Sequence, residues 1–288
     1  MKKNKKQRPA VRVPKSIRFV VWLSQRISNA LATKVALYLF FRPQRFKTPV
    51  REHQMRDAAE QIKFYASSIQ KEIQVYRLSG KKKKVLLLHG WSGRGTQLFY
   101  FAEKLQKENC EIITFDMPAH GQSPGNKTNV LELTCCIQDI NQKFSPFDAA
   151  IAHSMGSFAL LRAIKDGLPL QSAAIIGSGD SIKGVFYRFS QQLHFSEKIT
   201  ERMITTVEKQ FGTKLETYSS SMSIKEIDIP LLIVHDKDDK EAPYECSITL
   251  HDLARNSQLK LTSGLGHHRI LRDSKTVQHI IQFLFQHP

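Results

Sequence analysis

From about residue 72 onwards, short apolar runs alternate with amphipathic segments, and this alternation constrains the fold more than any other feature of the chain. Most of the segments between the runs are long enough for a crossover helix, as in 96–107 and 130–143, and the last segment, 274–286, has the apolar face of a helix. Strands that alternate with helices form a mostly parallel sheet covered on both faces, so we predict an α/β fold. The predicted strands are residues 73–78, 85–88, 111–115, 149–152, 173–176, 231–235 and 259–262.

Residues 177–230 interrupt this alternation, because they are far more numerous than a single crossover needs. Amphipathic stretches near 181–194 and 196–212 predict helices in this segment. We interpret about 179–226 as a small helical lid inserted into a domain that spans residues 72–288. The alternative is a second pair of surface helices with no gating role.

The positive charge of the chain is concentrated at its N-terminus. Of the 43 Lys and Arg residues, 14 lie within residues 1–51, and no acidic residue occurs there. We interpret 1–15 as a basic disordered tail and 16–71 as an N-terminal helical extension. The helical pattern of this extension has its apolar positions at Val20, Leu23, Ile27, Leu31, Val35, Tyr38 and Leu39.

Two interpretations of the extension remain open. Either its apolar face packs on the folded body, or a basic amphipathic segment within residues 1–45 lies on an anionic membrane surface. Polar residues interrupt the pattern, so we expect neither a membrane-spanning helix nor a signal peptide. No nucleic-acid partner is expected, because no zinc, helix-turn-helix or aromatic RNA-binding signature accompanies the charge.

The four cysteines, Cys110, Cys135, Cys136 and Cys246, lack the spacing of metal ligands or of a disulfide framework. This usage favours a reducing cytoplasm. If the membrane interpretation of residues 1–45 holds, the expected location is peripheral, at the inner membrane face.

Ser154 lies between two small residues at the junction of a predicted strand and a predicted helix. The run Ala152-His153-Ser154-Met155-Gly156 differs from the pattern G-x-S-x-G only in its first small residue. Such a junction requires a tight turn that exposes the serine hydroxyl beside the free N–H groups of the new helix. These groups and the helix dipole stabilise a developing negative charge, so Ser154 is a candidate nucleophile.

A serine nucleophile needs a base and a carboxylate that orients the base. The strand predicted at 231–235 runs into the acidic loop 236–243, and the strand at 259–262 runs into a glycine-rich turn that ends in His267 and His268. The order serine, acid, histidine is the one expected when the nucleophile lies on a turn of this kind.

Five motifs in this order make the chain resemble the α/β-hydrolase superfamily over roughly residues 72–286. The resemblance is closest to bacterial α/β-hydrolases of unassigned substrate, and it implies a mostly parallel central sheet flanked by helices, with a small helical lid. The motifs are Leu-Leu-Leu-His-Gly-Trp at 86–91, the loop 115–123, the turn at Ser154, the spacing from Asp239 to Pro243, and Gly266-His267.

The resemblance implies a serine-type catalytic site. Ser154 would be the nucleophile, His267 the general base and later the acid, and Asp239 the carboxylate that orients the imidazole. The backbone N–H groups of Trp91 and Met155 would form the oxyanion hole. Such a site needs no cofactor and no metal.

Alternatives exist for two of these roles. His268 is a second candidate for the base, and Asp238 and Asp180 are further candidates for the acid. Other histidines near the motifs match loop positions that hydrogen-bond to backbone, and no metal pattern such as H-E-x-x-H accompanies them. These histidines are His89, His120 and His153.

The expected function is that of a serine hydrolase that cleaves a carboxylic ester or thioester of a small-molecule acyl substrate. Alternatives are a non-catalytic interaction protein with the hydrolase fold, and an acyltransferase that uses the same triad. Aromatic residues of the predicted lid either line an apolar acyl pocket or belong to the core: Phe186, Tyr187, Phe189 and Phe195.

Overall fold

The structure, a computed structural model, describes residues 13–287, and residues 1–12 of the predicted basic tail lie outside this range. The described chain divides into two compact units, each with its own packing. We call them the sheet unit, residues 41–184 with 213–287, and the helical unit, residues 13–40 with 185–212.

Eight strands form one sheet, which is the centre of the sheet unit. They are β1 (Glu60–Ala66), β2 (Lys71–Leu78), β3 (Lys84–Leu88), β4 (Glu111–Phe115), β5 (Ala149–His153), β6 (Ser172–Ile176), β7 (Leu231–Asp236) and β8 (Ser257–Thr262). Their order across the sheet is β1-β2-β4-β3-β5-β6-β7-β8. The pairs β1–β2 and β2–β4 are antiparallel, whereas the other neighbouring strands run parallel. The predicted mostly parallel sheet is confirmed.

The helices of the described chain include those predicted at 96–107, 130–143 and 274–286. They are α1 (Lys15–Ile27), α2 (Asn29–Phe40), α3 (His53–Ala58), α4 (Phe99–Lys107), α5 (Val130–Phe144), α6 (Met155–Lys165), α7 (Ile182–Leu193), α8 (Glu197–Phe211), α9 (Ser220–Ser223), α10 (Glu245–Leu253), α11 (Gly266–Arg269) and α12 (Ser274–Gln286). Asn129 caps α5, because its side-chain oxygen accepts a hydrogen bond from the N–H of Glu132 at 3.0 Å.

The core of the sheet unit lies on both faces of the central strands. Every residue of β5 and β6 is buried, as expected for parallel strands covered on both sides. On one face, Phe101 of α4 and Ile280 of α12 pack in the same apolar cluster as Leu87 and Ile151 of the sheet. Each such buried side chain contributes about 1.5–3 kcal/mol to the free energy of unfolding.

The prediction of a purely helical extension over 16–71 is wrong at β1. This strand lies at the edge of the sheet and pairs with β2 alone, so most of its residues are exposed or half-buried. Ile62 and Phe64 therefore give only a weak alternating pattern between polar neighbours, and the strand was missed.

The predicted apolar positions from Val20 to Leu39 are divided between two helices, α1 and α2. Ser28 is extended between α1 and α2, and its hydroxyl accepts a hydrogen bond from the N–H of Leu31 at 3.1 Å. In α2, Ala32 and Ala36 are fully buried, and this helix packs on α8. The small alanine side chains allow α2 to pack closely on α8. The large apolar residues of the predicted helical pattern lie on the other, more exposed side.

Helices α7 and α8 confirm the two helical stretches predicted within 179–226, and a gating role for them stays a prediction. The ring of Phe186 is buried, and its centroid lies 4.1 Å from that of Phe40. The ring centroid of Phe189 lies 5.1 Å from that of Phe40. Phe186 is therefore a core residue of the helical unit, and the half-buried Phe189 packs against the same ring. Within residues 13–287, no helix combines the length and apolar character needed to span a membrane.

Candidate active site

Ser154 occupies a strained turn between β5 and α6. Its φ of 53° and ψ of −118° place a non-glycine residue in a sparsely populated region, and its N–H donates to the carbonyl of Ile176 at 2.9 Å. A Cβ atom at Gly156 would lie 2.7 Å from the carbonyl oxygen of His89 and 2.9 Å from that of Leu88. The turn therefore requires a glycine two residues after the serine.

The loop after β3 lies beside this turn because β3 and β5 pair in parallel, with Leu88 opposite Ala152. A Cβ atom at Gly90 would come within 2.9 Å of the Cβ of Ser154. After β3 the chain crosses to β4, which lies on one side of β3 within the sheet. Strand β5 lies on the other side of β3. Such a switch point leaves a crevice at the carboxyl ends of the strands, where ligands bind.

The two residues predicted to form an oxyanion hole lie after β3 and at the start of α6. The amides of Trp91 and Met155 have no hydrogen-bond acceptor among residues 13–287. Met155 is the first residue of α6, so its N–H points out of the helix at the positive end of the dipole. This arrangement is suited to a developing oxyanion.

His89 fixes the loop that carries Trp91. Its Nε2 accepts a hydrogen bond from the N–H of Met117 at 3.0 Å, so the proton is on Nδ1, which donates to the carbonyl of Gly90 at 2.7 Å. Burial lowers the pKa of His89 well below its ordinary value, and the proximity of His120 adds to this effect. The imidazole is therefore a neutral structural link.

Buried carboxylates hold the same loop from two sides. Asp116 accepts from the N–H of Gly95 at 2.7 Å and from the hydroxyl of Tyr76 at 3.0 Å. Burial raises the pKa of Asp116, although these hydrogen bonds offset part of the effect. Glu52 is buried and accepts from Arg94 at 2.9 Å, and its second donor is the hydroxyl of Thr96. Asp116 and Glu52 thus anchor this loop.

The imidazole of His267 and the carboxylate of Asp239 form a short hydrogen bond at the neighbouring strand ends. Nδ1 of His267 lies 2.6 Å from Oδ2 of Asp239, and both side chains are buried. Because β7 and β8 are parallel neighbours, the loops that follow them emerge at the same edge of the sheet. The ionised carboxylate can only accept, so Nδ1 carries the proton and Nε2 is left as an acceptor.

Asp239 is held as an anion by four donors. Burial alone raises its pKa, but hydrogen bonds from His235, His267 and the N–H of Ala242 outweigh this effect and hold the pKa of Asp239 far below its ordinary value. Its Oδ1 also accepts from the N–H of Glu241 at 2.8 Å. This network fixes the position of the carboxylate against the imidazole.

The alternative residues lie in other environments. Asp238 is exposed, and its carboxylate accepts from the N–H of Gly264. Asp180 contributes its backbone carbonyl to a hydrogen bond from Ser221. His268 is largely exposed, and its Nε2 lies 2.9 Å from Glu241. Among the candidate acids, Asp239 is therefore the one that contacts His267.

His153, the residue before Ser154, contacts His267. Nε2 of His153 lies 3.0 Å from the carbonyl oxygen of His267, and the two rings are 4.5 Å apart. Within residues 13–287 the Ser154 hydroxyl forms no hydrogen bond, and Nε2 of His267 lies 3.7 Å from Glu241. Hydrogen bonds between catalytic groups are often long in the absence of substrate.

Sequence reasoning missed several residues that build the site. Glu241 lies in the acidic loop and faces both imidazoles, whereas His235 supports Asp239 from within β7. Glu52 stands out in the sequence as the first acidic residue of the chain. No sequence pattern, however, indicates that it pairs with Arg94. Within the described part of the chain, no group of three or more potential metal ligands is found.

Comparisons with known proteins support a common fold. Residues 79–221 match the sequence profile of a family described as serine aminopeptidase, S33. No curated protein is significantly similar in sequence.

Several solved structures are similar to this chain. An esterase from Pyrococcus furiosus has a TM-score of 0.65 at 16% identity, with 85% of this chain and 96% of that chain covered. A bromoperoxidase from Bacillus anthracis has a TM-score of 0.59 at 17% identity, with coverage of 79% and 99%. The mouse alpha/beta hydrolase domain-containing protein 10 has a TM-score of 0.61 at 13% identity, with coverage of 79% and 97%. At such identities the likeness shows a shared fold.

Proposed function

The chain belongs to the α/β-hydrolase superfamily, and on this basis we propose that it is a serine hydrolase that cleaves a carboxylic ester or thioester through an acyl-enzyme on Ser154. The observation that carries the proposal is the 2.6 Å hydrogen bond between His267 and Asp239, at the sheet edge that also carries the strained turn of Ser154. Such a pair orients an imidazole for base catalysis.

The proposed reaction begins when Oγ of Ser154 attacks the acyl carbonyl and Nε2 of His267 accepts its proton. The tetrahedral oxyanion is stabilised by the N–H groups of Trp91 and Met155. As the C–O or C–S bond breaks, His267 returns the proton to the leaving alcohol or thiol. Water, deprotonated by the same imidazole, then attacks the acyl-enzyme and releases the acid. Asp239 stays ionised and stabilises the imidazolium.

The acidity of Asp239 supports this division of roles. A carboxylate whose pKa lies far below its ordinary value cannot compete with the imidazole for the serine proton. His153 is unsuited to be the base, because burial lowers its pKa well below the ordinary value and its Nε2 is engaged by a backbone carbonyl. His267 is left as the proton acceptor.

A fluorophosphonate probe tests the nucleophile directly. We expect it to label the native protein at Ser154, and Ser154→Ala to abolish labelling. Ser157→Ala is the matched control: this buried serine lies in α6, three residues after Ser154, and donates to the carbonyl of Ala152. Labelling that survives in Ser154→Ala would refute the assignment, and an unlabelled native protein would favour a non-catalytic interaction protein.

A panel of nitrophenyl esters from acetate to palmitate tests the reaction class. We expect turnover by the native protein, and a loss of about 10⁴-fold or more in kcat for Ser154→Ala. Repeating the assay with added alcohols, and analysing the products, distinguishes hydrolysis from acyl transfer. New esters in place of free acid would make the protein an acyltransferase that uses the same residues.

A further inference from the structure

Helices α1 and α2 expose several large apolar side chains to solvent. We call the side chains Phe19, Trp22, Leu23, Ile27, Leu31 and Tyr38 the apolar face. Phe19 is 59% exposed, Ile27 63% and Tyr38 57%. Single exposed apolar residues are common in proteins, whereas a cluster of this kind marks an interaction surface.

The orientation of α1 is fixed by polar contacts on its opposite side. Gln25 donates to the carbonyl of His194 at 3.1 Å and accepts from the N–H of Ser196 at 2.9 Å. Arg18 lies 3.0 Å from Nε2 of His194. Val21 and Ser24 are buried on this side of the helix. The helix therefore packs through its small and polar side, and its large apolar side chains face outwards.

An open groove of about 460 Å³ runs between α1 and α2. Its lining is mainly apolar and includes Ile17 and Val20 from α1 and Val35 and Leu39 from α2. The exposed Lys34 also lines it. The groove shares Tyr38 with the apolar face, and Lys34 adds a positive charge to its lining.

The part of the chain that contains α1 and α2 is strongly basic. Residues 1–51 contain 14 Lys or Arg and no Asp or Glu. Lys15 and Arg26 are exposed on α1 itself. The guanidinium of Arg26 lies 5.1 Å from the ring of Trp22, which in turn stacks near Phe19. Exposed tryptophan, large apolar residues and flanking cations are typical of segments that insert into the headgroup region of a bilayer.

We propose that the apolar face of the helical unit docks on the surface of an anionic phospholipid bilayer. Trp22, Leu23 and Phe19 enter the boundary between headgroups and acyl chains, while the surrounding cations bind lipid phosphates. A second copy of this chain is a poorer occupant, because it would bring the same uncompensated positive charge to the interface. The proposal goes beyond the proposed hydrolase activity, since binding requires neither Ser154 nor turnover.

Co-sedimentation of the full chain with vesicles tests the proposal. We compare phosphatidylcholine vesicles with vesicles that contain about 30% phosphatidylglycerol, which mimic an anionic surface. We expect binding to the anionic vesicles, and a loss of at least about tenfold in Trp22→Ser/Leu23→Ser, because two apolar side chains no longer enter the membrane. The matched control is Val50→Ser/Tyr65→Ser, which removes two exposed apolar side chains of the sheet unit.

Charge variants test the choice of lipid. Arg26→Gln and Lys34→Gln should each weaken binding to anionic vesicles about fivefold, and added salt should weaken binding of the native chain. Equal binding to neutral and anionic vesicles would overturn the electrostatic part of the proposal.

Tryptophan fluorescence tests the insertion without altering the apolar face. The chain has two tryptophans, so Trp91→Phe leaves Trp22 as the sole reporter. We expect its emission to shift to shorter wavelength with anionic vesicles and to be quenched by lipids brominated on the acyl chain. Unchanged emission, or equal sedimentation of Trp22→Ser/Leu23→Ser and the native chain, would refute the proposal. A dimer that dissociates in this variant, with no vesicle binding, would assign the apolar face to a second copy.

Discussion

Helix α4 of the sheet unit and helix α1 of the helical unit have similar apolar patterns but opposite burial. In α4, Phe101 and Leu105 are four residues apart and fully buried. In α1, Phe19 and Leu23 have the same spacing, yet both are exposed. Periodicity thus predicts that a segment is helical, but the shape of its neighbours decides which side of the helix packs.

The two units also differ in where their polar groups lie. In the sheet unit, buried carboxylates and imidazoles converge at the ends of parallel strands, where Asp239 alone accepts four hydrogen bonds. In the helical unit, charged groups such as Arg26 stay at the surface. The first arrangement is suited to chemistry on a positioned substrate, and the second to a charged, extended surface.

The largest expected effect tests the buried polar cluster. Asp239→Asn should lower kcat about 10⁴-fold, because an amide at this position no longer selects the imidazole tautomer with Nε2 free. The matched control is Asp238→Asn, whose side chain contacts Gly264 and not His267, and which should stay within about threefold of the native protein by the general expectation for surface changes. Steady-state ester hydrolysis measures both. Equal losses in the two variants would contradict the assignment of Asp239.

A pair of identical substitutions tests the opposite burial of α4 and α1. Phe101→Ala should lower the free energy of unfolding by about 3–5 kcal/mol, because it leaves a cavity in a packed core. Phe19→Ala should change it by less than about 0.5 kcal/mol, because the native ring is solvated. Urea denaturation measures both values. A large cost for Phe19→Ala would show that the apolar face is buried in solution.

Acid sensitivity should arise in the sheet unit. Burial lowers the pKa of His120 to about 4, and its Nε2 has no hydrogen-bond partner among the described residues. Between about pH 6.5 and 4, the unfolded chain therefore binds a proton at His120 that the folded chain does not bind. The contribution of this group to the free energy of unfolding is fully present above about pH 6.5 and is lost as the pH falls toward 4. The slope from this group reaches about 1.4 kcal/mol per pH unit.

His120→Asn checks this slope, since the amide nitrogen can replace Nδ1 as the donor to the carbonyl of Pro118. Urea denaturation at several pH values should show a smaller loss of stability between about pH 6.5 and 4 in the variant. Parallel curves for the two proteins would contradict a neutral, buried His120.

The smallest expected effect concerns Glu241, whose side chain is partly exposed. Its hydrogen bond to His268 raises the pKa of that histidine, and desolvation offsets part of the rise. Glu241→Gln should therefore return the pKa of His268 toward its ordinary value, by a modest amount at this solvated position. Titration of the imidazole protons by NMR measures the change. A pKa that stays the same would show that the ion pair is absent in solution.

The strands, the principal helices and the turn at Ser154 were predictable because their signals are local. A buried parallel strand is a continuous apolar run, and the cap at Asn129 lies within four residues of its partner. The edge strand β1 was missed, since half-buried residues such as Ile62 give a weak pattern. The break at Ser28 was missed because apolar spacing continues across it.

The candidate site was predictable only in part. The sequence indicated three candidate carboxylates and two candidate histidines for the catalytic roles. Which of them are in contact depends on the loops that follow β7 and β8. Only the folded loop turns Asp239 toward His267 and Asp238 toward Gly264. The support of Arg94 by Glu52 joins residues that are 42 positions apart, and no local pattern predicts such a pair.

The amino-acid sequence by itself determined the α/β alternation, the position of the small-residue turn and the concentration of charge in residues 1–51, because each is a property of neighbouring residues. Tertiary structure alone decided which carboxylate meets the imidazole and which side of α1 faces solvent. Both depend on the shapes and hydrogen-bonding groups that distant segments bring together, such as His194 and Ser196 against Gln25.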